Sequence, residues 1–275
     1  MSNLRILFLG DVIGVTGRTL FQKHIGRIVS EYNINGIVVN GENSSGGRGI
    51  TSKIVRFFKH NGVDVVTSGN HIWRQREIYS YLATNKDLLR PANYPTSCPG
   101  SGVTTFSCNG HEIGIINLQG RVFMRDFVDC PFKTAESLVT YLKSKTNMIF
   151  VDFHAEATSE KMGLAYFLSG KISGFVGTHT HVQTADERVL PGGTAYISDL
   201  GMVGSLNSMI GMKKEQIINN LITQMPSKFV VDTEPPYVLT GAYIDVDTST
   251  GKAVGIERIK VIDHDLLHGM PEKNK

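Results

Sequence analysis

The sequence predicts an α/β domain built on a mixed β-sheet. Short apolar runs alternate with segments whose apolar residues recur at helical spacing, which is the pattern of parallel strands joined by helices. Two pairs of strand-like segments separated by short turns predict hairpins, and therefore antiparallel strands as well. A chain of 275 residues can form one large domain, which we place at 1–265 and follow with a polar tail at 266–275.

The first half of the chain predicts three strand–helix units. Their strands are predicted at 4–9, 37–39 and 63–68, which each contain a short run rich in apolar residues. Their helices are predicted at 18–32, 52–60 and 75–83, and Thr51 is a suitable N-cap for the second of them. This alternation predicts parallel strand pairing.

The second half mixes hairpins with further strand–helix units. Hairpins are predicted at 103–117, around an Asn-Gly turn, and at 237–261. Between them we predict helices at 134–145 and 159–168 and strands at 148–153, 172–176 and 194–198. The Gly/Ser/Met-rich segment 201–212 is predicted as a loop that could cover a site, and with the helix predicted at 213–225 it could form a small cap over 201–228.

Composition limits the classes of function. Hydrophobic residues at 41% and charged residues at 19% are typical of a soluble globular protein, and the net charge of +3 comes from scattered basic residues. An extended nucleic-acid groove is therefore not expected, although a small phosphate-bearing ligand is compatible. Three cysteines without a C-x-x-C spacing predict neither a disulfide framework nor a zinc knuckle. No leader or membrane span is apparent, so we expect a cytoplasmic protein.

Five predicted strands are each followed by ligand-type side chains. These are Asp11, Glu42 with Asn43, Asn70 with His71, His154, and His179 with His181. Because ligands bind outside the carboxyl ends of parallel strands, we expect the five groups to lie close together. Side chains two apart in extended backbone point the same way, so the last two histidines could approach one metal ion or two adjacent ions.

Each of these residues also has an ordinary interpretation. Asp11 could be a helix cap, Glu42 and Asn43 could be loop polar groups, and Asn70 could occupy a left-handed turn. A buried histidine can simply be hydrogen-bonded, and a His-x-His pair is more often a surface loop than a ligand set. The hypothesis of a shared site depends on the joint pattern, in which every strand end carries a possible ligand.

The number of donors predicts two metal ions. Carboxylates, amides and imidazoles form a mixed oxygen and nitrogen set that suits Mn²⁺, Fe or Zn²⁺ better than Ca²⁺ or Mg²⁺. Seven or eight side chains exceed what one ion can coordinate, whereas two ions sharing a carboxylate can use them all. Such a pair can polarise a phosphoryl group, hold a bridging hydroxide for in-line attack and stabilise the leaving oxygen. Phosphoester hydrolysis is therefore the favoured reaction.

The motifs resemble those of the calcineurin-like metallophosphoesterases, and most closely their YmdB-type bacterial branch. The similar residues are Asp11, Gly41-Glu42-Asn43, Gly69-Asn70-His71, Asp152-Phe153-His154-Ala155-Glu156 and Gly177-Thr178-His179-Thr180-His181. The resemblance runs in order from Leu4 to about Val261. It implies two mixed β-sheets packed as a sandwich and flanked by helices, an αββα arrangement.

The resemblance also implies the roles of the site residues. Most of the superfamily has D-x-H after the first strand and an Asp in the second loop, whereas here Ile13 replaces the histidine and Glu42 the Asp, as in the YmdB-type branch. The first implied metal site consists of Asp11, Glu42, Asn43 and His181. The second consists of Glu42, Asn70, His154 and His179. Glu42 bridges the ions, and His71 is the implied general acid.

The implied activity is a phosphodiesterase that acts on small phosphodiesters such as 2′,3′-cyclic nucleotides. Two divalent or mixed-valence metal ions are expected, with iron first and manganese second, and a homo-oligomer is also implied. Arg48, in a glycine-rich loop that lacks the P-loop lysine, and Arg121 are candidate substrate-binding residues. Two alternatives stay open: a phosphomonoesterase, and a regulatory metal-binding protein with negligible turnover. Non-catalytic RNA binding ranks last because no basic and aromatic surface is evident.

Overall fold

The computed structural model describes residues 3–265, so the tail predicted at 266–275 lies outside the described residues. The elements of the first half are β1 (Asn3–Leu9), β2 (Asp11–Val12), α1 (Gly14–Glu31), β3 (Gly36–Asn40), α2 (Ser52–His60), β4 (Val65–Thr67) and α3 (Ile78–Thr84). Next come β5 (Val103–Cys108), β6 (His111–Gln119), α4 (Pro131–Lys143), β7 (Met148–His154), α5 (Thr158–Leu168) and β8 (Gly174–Thr178). The last are β9 (Arg188–Leu190), β10 (Thr194–Ile197), β11 (Met202–Ser205), α6 (Lys214–Thr223), β12 (Tyr237–Asp247) and β13 (Ala253–Asp263).

The strands form two mixed sheets. The first has the order β2-β11-β12-β1-β3-β4, with β13 also paired to β12, and the second has the order β5-β6-β7-β8-β10-β9. Strands β1, β3 and β4 are parallel neighbours, as are β6, β7 and β8, whereas β12 runs antiparallel to β1. This confirms the predicted pair of mixed sheets.

Alternation along β1 explains how the layers pack. Ile6 and Phe8 belong to the core between the two sheets, where the rings of Phe8 and Phe150 have centroids 5.3 Å apart. Leu7 and Leu9 point to the other face and pack in the core that includes residues of α1 and α2. Side chains of α4 and α5 cover the outer face of the second sheet in the same way. The alternation of side chains along each strand thus places one face of the sheet in the core between the sheets and the other face against the helices.

Several predicted boundaries are corrected. The segment 201–212 was predicted as one loop, but Met202–Ser205 is a strand that pairs with both Asp11–Val12 and β12. Its four residues give no periodic signal, and distant partners stabilise it. Helix α3 begins three residues later than predicted, after a 3₁₀ turn at Ile72–Arg74. Helix α4 begins three residues earlier than predicted, because Pro131 occupies its first turn. Helix α6 buries none of its residues, and a cap formed by the rest of 201–228 stays a prediction.

The topology brings the predicted site residues to one edge of the sandwich. The carboxyl ends of β1, β3 and β4 in the first sheet lie near those of β7 and β8 in the second, as Asn40 donates to Asp152 across the sheets at 3.3 Å. The loops that follow these strands therefore converge. Within residues 3–265, no helix is long and apolar enough to cross a membrane.

Candidate metal centre

His154 ends β7 with its ring fully buried and its tautomer fixed. The Thr178 hydroxyl donates its single proton to Asp152 Oδ1 at 2.8 Å, so it can only accept from His154 Nδ1, which lies 3.0 Å away. Nδ1 therefore carries a proton, and Nε2 is the atom available to a ligand. Such a hydrogen bond on the second ring nitrogen is usual for metal-binding histidines.

Nε2 of His154 faces three possible metal ligands. Glu42 Oε1 lies at 3.1 Å, Asn70 Oδ1 at 3.2 Å and His179 Nδ1 at 3.1 Å. One atom each from Glu42, His154 and His179 lies within 4.8 Å of the others, a spacing that can hold a metal ion. These four residues are the set that the resemblance implied for the second metal.

The tautomer of His179 also directs an unprotonated nitrogen inward. Its Nε2 lies 3.0 Å from Glu156 Oε2, and a carboxylate only accepts, so Nε2 donates and Nδ1 is bare toward His154. Glu156 was part of the motif that carried the resemblance, but it was not predicted as a site residue. The signal that could have identified it is its position two residues after His154, beyond the end of the same strand.

His181 faces Asp11 instead. Its Nδ1 lies 2.9 Å from the Ile210 carbonyl oxygen and must donate to it, which leaves Nε2 bare at 3.7 Å from Asp11 Oδ1. The two histidines do not follow the extended backbone assumed from the sequence, because His179 has φ 104° and His181 has φ 63°. This left-handed backbone sends the rings to different neighbours, one beside His154 and the other beside Asp11.

Two buried oxygens at the centre have no hydrogen-bond partner in the described part of the chain. They are Asp11 Oδ1 and Asn43 Oδ1, on residues that are 0% and 3% exposed. An unpaired buried acceptor is costly, and a carboxylate oxygen more so. Both atoms belong to the set implied for the first metal. The donor chemistry therefore fits two cations: the set that includes Asp11 has three oxygens and one nitrogen, and the set around His154 has two oxygens and two nitrogens.

The charges at the centre also point to a cation. Burial alone would lower the pKa of His154, but the carboxylates of Glu42 and Asp11 raise that pKa to about 9. Burial would raise the pKa of Glu42, yet His154 and His71 hold it well below its usual range. Burial and the charge on His154 lower the pKa of His179 to about 3. A proton on His154 Nε2 therefore occupies the position that a metal would take, and the two compete.

His71 lies beside this cluster and reaches the surface. Its Nδ1 is 3.0 Å from Glu42 Oε1, its backbone N–H donates to Glu42 Oε2 at 3.2 Å, and its side chain is 21% exposed. The candidate arginines lie further out. Arg48 is exposed and its guanidinium lies 5.9 Å from the ring centre of Phe229, whereas the backbone N–H of Arg121 donates to Glu160. Their contact with a substrate stays a prediction.

A buried ion pair that the sequence did not predict supports the histidine loop. Lys161 Nζ in α5 lies 2.7 Å from Asp199 Oδ2, and the two side chains are 0% and 1% exposed. The same oxygen accepts from the Thr180 N–H, and Asp199 Oδ1 accepts from the Gly201 N–H. Asp199 thus connects the residue between the two histidines to the segment that leads into β11. The sequence could have identified Asp199 as a candidate, because Asp199 also follows a predicted apolar strand.

The fold is that of the calcineurin-like phosphoesterases. A calcineurin-like phosphoesterase from Bacillus subtilis superposes with a TM-score of 0.57 at 13% identity, covering 97% of this chain and 91% of that one. The crystal structure of a novel phosphatase from Mycoplasma pneumoniae superposes with a TM-score of 0.90 at 36% identity, covering 96% and 95%.

The sequence comparison defines the family. The YmdB-like protein family matches residues 7–259, so the chain belongs to it, as its motifs predicted. A Bacillus subtilis protein named 2′,3′-cyclic-nucleotide 2′-phosphodiesterase is 45% identical over 260 residues, which cover 94% of this chain and 98% of that protein. The predicted fold class and family are thereby confirmed.

Gly69 is required for the close approach of two possible ligands. A Cβ at this position would lie 2.1 Å from His154 Cδ2 and 2.3 Å from Glu42 Oε2. We expect Gly69→Ala to displace both and to weaken metal affinity by roughly 10–100-fold, measured by metal titration and elemental analysis. Gly26→Ala in α1 is the matched control, because its Cβ meets no atom within 4 Å. Equal metal affinity in both variants would contradict this prediction.

The Lys161–Asp199 pair gives a prediction about stability. Lys161→Met leaves a buried carboxylate without its cation, which should lower the free energy of unfolding by about 3–5 kcal/mol. Adding Asp199→Asn removes the unpaired charge and should recover part of that loss, as measured by urea denaturation. Lys143→Met on the exposed side of α4 serves as the control. The interpretation fails if the double variant is no more stable than Lys161→Met.

Proposed function

We propose that this protein is a metal-dependent phosphodiesterase that hydrolyses small phosphodiesters, 2′,3′-cyclic nucleotides among them. The observation that carries the proposal is the convergence of acceptor atoms from Glu42, Asn70 and His179 on the buried Nε2 of His154. The relatives support it, since the Bacillus subtilis protein is named for this activity and a Mycoplasma pneumoniae relative, 36% identical, is named a putative phosphatase/phosphodiesterase. The chain is a phosphoric ester hydrolase of this family.

We assign two divalent or mixed-valence cations to the centre, with Glu42 as a ligand that both would share. One would be held by Asp11, Glu42, Asn43 and His181, and the other by Glu42, Asn70, His154 and His179. When bound, the pair neutralises charge on the phosphoryl oxygens and makes phosphorus more electrophilic. Iron is our first assignment and manganese the second, in the order that the family resemblance implies. The oxygen-rich group around Asp11 is harder than the ligand sets zinc prefers, and it suits both metals.

The chain's own contribution to bond cleavage is a proton. A water oxygen adds to phosphorus, the bond between phosphorus and the ribose O2′ breaks, and a nucleoside 3′-phosphate forms. The departing O2′ requires a proton, which we assign to His71. Glu42 Oε1 lies 3.0 Å from His71 Nδ1 and orients the ring, so Nε2 is the atom free to face a substrate on the exposed side.

Location and assembly belong to the same proposal. The three cysteines are free thiols, which suits a reducing compartment, and we place the protein in the cytoplasm. A homo-oligomer stays a prediction. A phosphomonoesterase is the second candidate, supported by the relative whose crystal structure is described as a phosphatase. Rates for 2′,3′-cyclic nucleotides and for the corresponding monoesters, measured with one metal-loaded preparation, discriminate the two.

His71→Ala should keep the metals and lose turnover. General acid catalysis contributes roughly 10²–10⁴-fold, and we expect kcat for a cyclic nucleotide to fall by that factor at equal metal loading. Elemental analysis checks the loading, and His60→Ala, an exposed histidine at the end of α2, is the control. Equal trace rates for wild type and His71→Ala would refute the enzyme and favour a regulatory metal-binding protein.

His179 and His181 should hold different ions. We expect His181→Ala and His179→Ala each to lose about one ion per chain, because one ring faces Asp11 and the other faces His154. Adding Asp11→Asn to His181→Ala should remove little more metal, because both changes affect the same site. Adding Asn70→Ala to His181→Ala should empty the second site as well. Metal content after gel filtration measures each loss. Loss of both ions from either single variant would show that the two sites are not separable.

A further inference from the structure

A cleft of about 380 Å³ begins at His181 and extends toward β13. Met202 and Val238 line it on the side of the first sheet, and Arg258 and Lys260 on β13 contribute two cations. None of these four residues takes part in the proposed reaction. A cavity with apolar walls and a few charged groups is suited to an amphiphilic ligand such as a nucleotide.

Strand register shows where the two cations point. Lys260 pairs with Thr240 and Arg258 pairs with Ala242. Residues directly opposite in an antiparallel pair share a face, and Ala242 lies in the core between the sheets. Both cations therefore point to the side of β13 that faces the second sheet. The ion pair of Arg258 Nε with Glu187 Oε1, at 2.8 Å, agrees with this direction.

The same strands relate Lys260 to the metal centre. The Gly10 N–H donates to the Thr240 carbonyl at 3.1 Å, and Gly10 immediately precedes Asp11. Thr240 in turn pairs with Lys260, so the two backbones are two strand spacings apart, roughly 10 Å. A phosphate near Asp11 and a phosphate near the Lys260 side chain are therefore at a separation that one nucleotide can span.

The charge balance in the cleft favours an anion at Lys260. Glu187 neutralises Arg258, whereas Lys260 forms no ion pair with any residue between 3 and 265. The cleft therefore has an uncompensated positive charge at Lys260. Lys260 is exposed at the cleft, and its ammonium group can form a charge-assisted hydrogen bond to a phosphate bound there.

We propose that this cleft binds a second phosphate of the substrate, on the 5′ side of the nucleotide whose cyclic phosphate is opened. The inference rests on the proposed function and narrows its substrate class. Preferred substrates are 2′,3′-cyclic nucleotides that carry a 5′-phosphate, either free or as the link to a preceding nucleotide. Lys260 is the residue that determines this preference.

Binding of product-like ligands tests the cleft without turnover. Adenosine 3′,5′-bisphosphate and adenosine 3′-monophosphate are titrated calorimetrically into the Mn²⁺-loaded wild type, Lys260→Ala, Lys260→Arg and Lys143→Ala. We expect the bisphosphate to bind roughly tenfold more tightly to every form except Lys260→Ala, in which the two affinities become equal. No preference in the wild type, or a preference retained by Lys260→Ala, overturns the proposal.

Measurements of turnover with three substrates distinguish a failure of this inference from a failure of the proposed function. The substrates are 2′,3′-cyclic AMP, its 5′-phosphorylated form and a dinucleotide that ends in a 2′,3′-cyclic phosphate. A higher kcat/KM for one or both phosphate-bearing substrates, lost in Lys260→Ala, supports the cleft and identifies the source of the phosphate. Equal kcat/KM for all three overturns the cleft and leaves the phosphodiesterase intact. Tight bisphosphate binding without hydrolysis of any of them refutes the phosphodiesterase and supports the second phosphate site.

Discussion

The centre depends on one electrostatic constraint: several lone pairs converge on the buried ring nitrogen of His154. Glu42 and His154 are 1% and 0% exposed, and the Glu42, Asn70 and His179 acceptor atoms all lie within 3.2 Å of His154 Nε2. Acceptors in such a place repel one another and have lost their hydration. A proton on His154 relieves part of this repulsion, and a metal cation relieves more of it. The surrounding structure can be understood as the support for this arrangement.

Each imidazole is supported at its outer nitrogen. Thr178, Glu156 and the Ile210 carbonyl accept the proton of His154, His179 and His181 in turn. These contacts fix the ring orientations and leave the inner nitrogens bare. The Lys161–Asp199 pair acts on the backbone instead, by holding the amide between the last two histidines. Both carboxylate oxygens of Asp199 are used, which offsets the desolvation that makes buried ion pairs costly.

The sequence predicted the ligand-type side chains that follow the strands better than it predicted the arrangement of the strands. Asp11, Glu42 and His154 were recognisable because each follows an apolar run, and that signal is local. Local sequence patterns do not show whether the strands form one sheet or two, because parallel strands have the same apolar pattern in both cases. Only the resemblance to a family predicted a sandwich. Strand β11 was missed because its partners are distant in sequence. Lys161 was missed because a lysine in a helix is usually solvated.

The left-handed backbone at His179 and His181 explains how one short loop presents two rings to different neighbours, as the proposed pair of ions requires. In an extended strand, the rings two residues apart would compete for the same position, but φ values of 104° and 63° rotate them to separate neighbours. His179 joins a group that already contains His154, whereas His181 lies beside the unpaired Oδ1 of Asp11. The two positions therefore differ in hardness. Because Glu42 contacts both His154 and His71, the same carboxylate links the group around His154 to the proposed general acid.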